Sequence, residues 1–190
     1  LPTEPLITLT HVQAGYDRPV VGPLCLDVAP GEVVALWGPN GCGKTTLLNA
    51  VGGAARVFAG MVQRRPGLRV AHQHQNPLPL HNVPLSGREL LGLTQADPGS
   101  LPASAHALLS RRLSELSGGQ LQFLQVWASL ASPATLVLLD EPTNNVDPAG
   151  VALLEDALKA RDAGRGFVIV SHDRRFVEAV ATRIVALAPG

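Results

Sequence analysis

The sequence predicts an α/β fold: a mainly parallel sheet with both faces covered, an antiparallel β unit on its N-terminal side and a small helical insertion. Three uninterrupted apolar runs, Val33 to Trp37, Leu136 to Leu139 and Phe167 to Val170, read as strands buried on both faces. Leu6 to Val12 and part of Leu24 to Val28 alternate apolar and polar residues instead, as strands of a half-exposed sheet do. Between Asn76 and Ser114 the prolines Pro77, Pro79, Pro84, Pro98 and Pro102 break up short apolar segments, which predicts a helical insertion at about 76–132 within one domain spanning 1–190.

Pro30-Gly31 forms the turn from the antiparallel unit into the first buried strand, and Thr46 to Val51 then reads as a helix. Arg69 to Ala71 is a weaker candidate for the parallel sheet. Within the insertion, Arg88 to Leu93 and Ala103 to Leu113 are the apolar segments. Gln120 to Leu130 and Val151 to Arg161 read as helices, the second after Pro148-Ala149-Gly150. Ile184 to Leu187 is the other weak candidate strand.

At 190 residues the chain can bury roughly 70% of the surface its unfolded form exposes, so no staples are required. Its 15 basic residues balance 15 acidic ones, leaving no net field to draw a polyanion, and no nucleic-acid partner is expected. Two cysteines, Cys25 and Cys42, are too few for a disulfide framework, which fits a reducing, cytoplasmic setting. No apolar run approaches the roughly 20 residues that span a bilayer, so a membrane role has to come through a partner.

The loop after the first buried strand, Gly38-Pro39-Asn40-Gly41-Cys42-Gly43-Lys44-Thr45, has the spacing of a phosphate cradle. Its glycines let backbone N–H groups curl around β- and γ-phosphates, and the helix N-terminus behind them adds a favourable dipole. Lys44 supplies positive charge, Thr45 a hydroxyl ligand for Mg²⁺, and Thr46 continues the phosphate-binding turn. Asp140 ends an apolar strand, where α/β sheets place ligands, and its carboxylate suits Mg²⁺. Glu141 projects to another side, as a base or a group that positions water. The alternative for the pair is two solvated acids before the Pro142 turn. His72, His74 and His81 lie close together, with His72 and His74 on one strand face. Ordinary hydrogen bonding explains them better than a metal site, since no Cys or further carboxylate completes a ligand set.

With Leu116-Ser117-Gly118-Gly119-Gln120 added, the chain resembles the ATP-binding cassette (ABC) ATPases, P-loop NTPases, over essentially residues 5–188. The resemblance implies ATP and Mg²⁺ as ligands, ATP hydrolysis, and a head-to-tail pair of copies. In that pair, ATP lies between the phosphate loop of one copy and the Ser117–Gln120 signature of the other. Ser117 also suits capping of the helix that follows, and both uses draw on the same N–H groups. The resemblance further places Tyr16 against adenine, with a packing tyrosine as the alternative. Gln75 matches the glutamine that contacts Mg²⁺ and the attacking water, and Gln73 competes for that assignment. His172 matches the histidine that reaches the γ-phosphate and orients Glu141, and Asn145-Val146-Asp147 the loop that joins the two sites. Phe123 departs from the family, which has a basic residue there, and Cys42 replaces a smaller one in a loop that works through its backbone.

By this resemblance the chain is a nucleotide-binding subunit on the inner face of the cell membrane. It would drive an integral membrane permease by closing and reopening a homodimer, with Pro77 to Leu93 forming the docking groove. Val83 to Leu91 is similar to importers of zinc or manganese ions. The alternative is a soluble ABC protein acting on ribosomes. Asp140 to Asn145 and Ser171 to Phe176 resemble that class, whereas the neutral charge and Gln120 do not. A chromosome-organising or repair ATPase would need coiled-coil heptads, which are absent.

Overall fold

A computed structural model describes residues 4–74 and 83–188. The core is a five-stranded sheet in the order β5-β6-β7-β3-β8, built from β3 (Val33–Trp37), β5 (Val70–Gln73), β6 (Leu136–Asp140), β7 (Gly166–Val170) and β8 (Arg183–Ala186). Every neighbouring pair in it is parallel. The three continuous apolar runs occupy its centre, where β6 and β7 are buried at every position. The two weaker candidates became its edges, partly exposed as edge strands are.

Period-two alternation explains why these runs are apolar throughout. Val33, Val137, Leu139, Phe167 and Ile169 point to one face, where they meet α3 (Gly118–Leu130), α4 (Pro148–Lys159) and α5 (Arg174–Val180). Val34, Leu36, Leu136, Leu138, Val168 and Val170 point to the other, against α1 (Lys44–Gly52) and the antiparallel sheet. Each strand therefore contributes to two cores. Its carboxyl end is left to carry polar groups between them.

The antiparallel sheet has the order β2-β1-β4, with β1 at Ile7–Gly15, β2 at Pro19–Val28 and β4 at Arg56–Arg64. The last strand was not foreseen. Only Phe58 and Val62 in it are half-buried, so it carries none of the alternation by which a half-buried strand is read. Pairing with β1 holds it, through a bulge where His11 adopts φ 48° and Gly60 φ +82°. A Cβ on Gly60 would lie 2.3 Å from the His11 carbonyl oxygen, so the register requires glycine there.

Two other boundaries differ from expectation. The helix expected from Val151 to Arg161 begins at Pro148 and ends at Lys159. Asp147 caps it by accepting from the Gly150 N–H at 2.6 Å, and proline suits the first helical position. Of the two apolar segments expected to be helical, the first forms α2 (Gly87–Leu93), but Ala103–Ser110 winds as 3₁₀ turns. A 3₁₀ turn rises about 2.0 Å per residue against 1.5 Å for α, so the segment reaches further between its anchors. One anchor is a short antiparallel bridge between Ser86 and Arg112. Among the described residues, no helix is long and apolar enough to cross a membrane.

Candidate functional site

The phosphate loop runs from the end of β3 into α1, and Gly43 stands at the helix N-cap with φ 91°. No side chain caps α1 and no acid occupies its first turn, so its leading N–H groups are open to an anion. Lys44 is 7% exposed. Its Nζ donates to the carbonyl oxygens of Gly38 at 2.7 Å and Pro39 at 2.9 Å, and it forms no ion pair among the described residues. A buried ammonium held only by neutral carbonyls is poised for an anionic ligand. Cys42 is buried, with a free thiol that packs beneath Gly38.

Asp140 and Glu141 leave β6 in different directions. Asp140 is 1% exposed and its Oδ1 accepts from Thr45 Oγ1 at 3.4 Å. Burial pushes its carboxyl above the ordinary value, offset by the Thr45 hydrogen bond and by the charges of His74, Lys44 and His172. Glu141 takes φ 51°, a conformation rare outside glycine. Its N–H donates to the Val170 carbonyl at 2.8 Å. The turn sends the carboxylate toward the end of β7, where Oε2 accepts from the His172 N–H at 3.1 Å. Oε1 lies 3.2 Å from His172 Nε2 without hydrogen-bond alignment, and it has no other partner among the described residues. Burial raises the Glu141 carboxyl as well, against the opposing pull of the His172 N–H and ring. A buried carboxylate with one oxygen that accepts no hydrogen bond and a raised pKa suits a base acting on a bound water.

Lys44, Thr45, Glu141 and His172 share one cleft of about 410 Å³, lined also by Asn40, Gly41, Gly43 and Thr46, with Val20 and Val170 as apolar walls; Asp140 is not among its lining residues and reaches it through Thr45. The Thr45 hydroxyl and the Asp140 carboxylate are hard oxygen donors of the kind Mg²⁺ takes. Tyr16 sits between β1 and β2 and is 53% exposed. Its hydroxyl accepts from Asn49 Nδ2 at 2.6 Å. Gln75 and His81 lie outside the described residues. Gln73 is buried, and its Nε2 donates to the His74 carbonyl at 2.7 Å. The His72 and His74 rings stack at 3.8 Å between centroids, and burial, helped by His74, pulls His72 down to about 4. No cluster of three or more metal-binding side chains occurs among the described residues.

The signature turn lies elsewhere. Ser117 caps α3: its Oγ accepts from the Gln120 N–H at 3.2 Å while Gln120 Oε1 accepts from the Ser117 N–H at 3.1 Å. Ser117, Gly119 and Gln120 line a second cleft of about 390 Å³ with Asn145, Val146 and Asp147, and it shares no residue with the first. The departure at position 123 fills part of its wall. Phe123 is buried, 5.7 Å from the Trp127 ring, and packs toward Gly150.

The two signature glycines differ. A Cβ on Gly119 would lie 2.1 Å from the Asn145 carbonyl oxygen, whereas one on Gly118 would meet nothing within 4 Å. Gly119→Ala is therefore expected to cost about 1–3 kcal/mol of folding stability by overpacking. Gly118→Ala should stay within about 0.5 kcal/mol yet lower hydrolysis by obstructing the open approach to the helix N-terminus. Urea unfolding alongside phosphate release separates the two effects.

Sequence reasoning missed three polar residues. Asn49 steadies Tyr16, Gln122 Nε2 donates to the Glu141 carbonyl at 3.3 Å, and Arg111 contacts Gln120. Asn49, one helical turn beyond Thr45, was discoverable from spacing. The other two meet their partners only in the folded chain.

Comparison with known proteins agrees with this geometry. Residues 21–144 match the family described as ABC transporter. The zinc import ATP-binding protein ZnuC of Marinobacter nauticus is 37% identical over 193 residues, 97% of this chain and 75% of that protein. A solved ATP-binding subunit of an ABC transporter has the same fold, with TM-score 0.80 at 20% identity over 97% of this chain and 87% of that one. The archaeal ribosome recycling factor aABCE1, solved with a ribosomal stalk protein, gives TM-score 0.83 at 26% identity over 100% of this chain and 38% of its own.

Proposed function

This chain belongs to the ABC transporter family of ATP-binding proteins, and from that premise we propose that it is the nucleotide-binding subunit of a zinc importer. It is an ATPase. Two copies pair head to tail, each ATP lying between one copy's phosphate loop and the other's Ser117–Gln120 turn. The pair sits on the inner face of the membrane and drives an integral membrane permease; the expected docking segment, Pro77 to Leu93, lies outside the described residues as far as residue 82. Residues 1–190 act as one cassette, with the insertion at about 76–132. The observation that carries the reading is the separation of the phosphate loop and the signature into two clefts that share no residue. A second copy facing the first would bring its signature cleft to a nucleotide held at the phosphate loop.

Within each composite site, Lys44 and the N–H groups at the start of α1 bind the β- and γ-phosphates. Tyr16 stacks on the adenine. Mg²⁺, when bound, neutralises phosphate charge, and Thr45, Asp140 and Gln75 would hold it. Glu141 orients the attacking water and takes its proton on Oε1, which accepts no hydrogen bond among the described residues, while the His172 N–H keeps Oε2 fixed and its ring reaches toward the γ-phosphate. The partner's Ser117 hydroxyl and the N–H groups of its α3 meet the charge that develops on the γ-phosphate.

The import reading is supported over ribosome action. The zinc import relative is 37% identical over 75% of its length, against 26% over 38% for the recycling factor. Recovery of the tagged chain from detergent-solubilised membranes tests the assignment. The expected result is co-purification with a polytopic permease whose ATP-dependent transport in vesicles carries Zn²⁺. Recovery with ribosomes and no permease would contradict it.

A further inference from the structure

Arg111 lies just before the signature and outside every motif, yet it lines the signature cleft. Its guanidinium donates to Gln120 Oε1 at 3.2 Å through Nη1 and to the Glu115 carbonyl through Nη2. Gln120 Oε1 is the same atom that accepts from the Ser117 N–H. One oxygen thus closes the capping box of α3 and is gripped from outside by a cation. The Arg111 backbone is fixed in turn: its carbonyl accepts from the Gly87 N–H at 3.0 Å, and the Leu113 N–H donates to the Leu85 carbonyl at 2.8 Å. The entrance to α2 is therefore tied, through one residue, to the turn that carries Ser117.

We propose that Arg111 is a positioning residue for the signature, holding the Gln120 side chain so that the Ser117 hydroxyl and the N-terminus of α3 meet a nucleotide bound to another copy. Without it, Gln120 keeps its bond to the Ser117 N–H but loses the second anchor that sets its direction, and the turn is free to shift. Guanidinium suits the task because its planar fork engages two acceptors at once, which an ammonium does not reproduce. Arg111 is absent from the phosphate-loop cleft. It therefore acts on the partner's ATP and leaves binding by its own loop unaltered.

This proposal rests on the composite-site reading, and the test separates the two. In R111A the turnover number should fall by about 10- to 100-fold, the worth of a charge-assisted hydrogen bond, while binding of a fluorescent ATP analogue to the single copy stays within about twofold. R111K should recover part of the loss, and it stands in should the alanine variant not fold. A mixture of R111A with K44A should regain activity, because pairing the two variants puts both defects in one site and leaves the other intact. S117R mixed with K44A is the control. Unchanged turnover in R111A, or failure of the R111A mixture while the control complements, would overturn the role of Arg111. Failure of both mixtures would overturn the composite site and the proposal with it.

Discussion

Glu141→Gln should slow ATP hydrolysis by about 10²- to 10⁴-fold, the usual contribution of a positioned base, while ATP binding persists. The amide keeps the side chain's shape and still accepts from the His172 N–H, so the turn after β6 is not expected to collapse. It loses the proton acceptor at Oε1, the buried oxygen that lacks a hydrogen-bond partner among the described residues. Burial raises the wild-type carboxyl above the ordinary glutamate value. The base works only when ionised, so wild-type turnover should fall as pH drops through that raised pKa, and the slow residual turnover of the variant should lack this acid limb. With hydrolysis blocked, ATP should hold two copies together, and sedimentation in the presence of ATP and Mg²⁺ reads that directly. Turnover within a few-fold of wild type would remove Glu141 from its assigned role.

Ser117→Arg should lower hydrolysis at least about 100-fold, the loss seen when one preorganised donor to a developing oxyanion is removed. Two effects combine. The substitution removes the hydroxyl that caps α3, and it places a long cation where a second copy has to approach. Nucleotide binding by the single copy should change little, because no signature residue lines the phosphate-loop cleft. The cap alone is worth about 1 kcal/mol of stability. Urea unfolding that reports only this modest change beside a far larger loss of turnover separates chemistry from folding.

The fold was most legible where burial is most complete. β3, β6 and β7 announce themselves because both faces are covered, which leaves no position for a polar residue until the carboxyl end, and there Asp140 stands. Legibility faded with exposure. β5 and β8 were weak at the sheet edges, and β4, held by pairing rather than by burial, was invisible. The start of α4 was missed for a different reason. Its signal is the Asp147-Pro148 cap, which lies outside the apolar periodicity of the helix. At the site, residues whose function is local in sequence, such as the loop from Gly38 to Thr45, could be read from spacing alone. The pairing of Glu141 with His172, thirty-one residues on, was expected from the resemblance alone, and its geometry depends on the left-handed turn at Glu141. Gln122 and Arg111 meet Glu141 and Gln120 only in the folded chain. The different duties of Gly118 and Gly119 likewise appear only once Asn145 is seen pressed against the second of them.

The central claim is that no single copy of this chain holds a complete catalytic site, and mixing two inactive variants tests it most directly. Lys44→Ala disables the phosphate loop and Ser117→Arg the signature, each abolishing hydrolysis when every copy carries it. Combined, the two should regain activity, since a mixed pair has one site that carries both lesions and one that carries none. Phosphate release titrated against the ratio of the variants should peak near equal amounts. A mixture as inactive as its components, under conditions where copies exchange and wild-type pairs hydrolyse ATP, would contradict the claim.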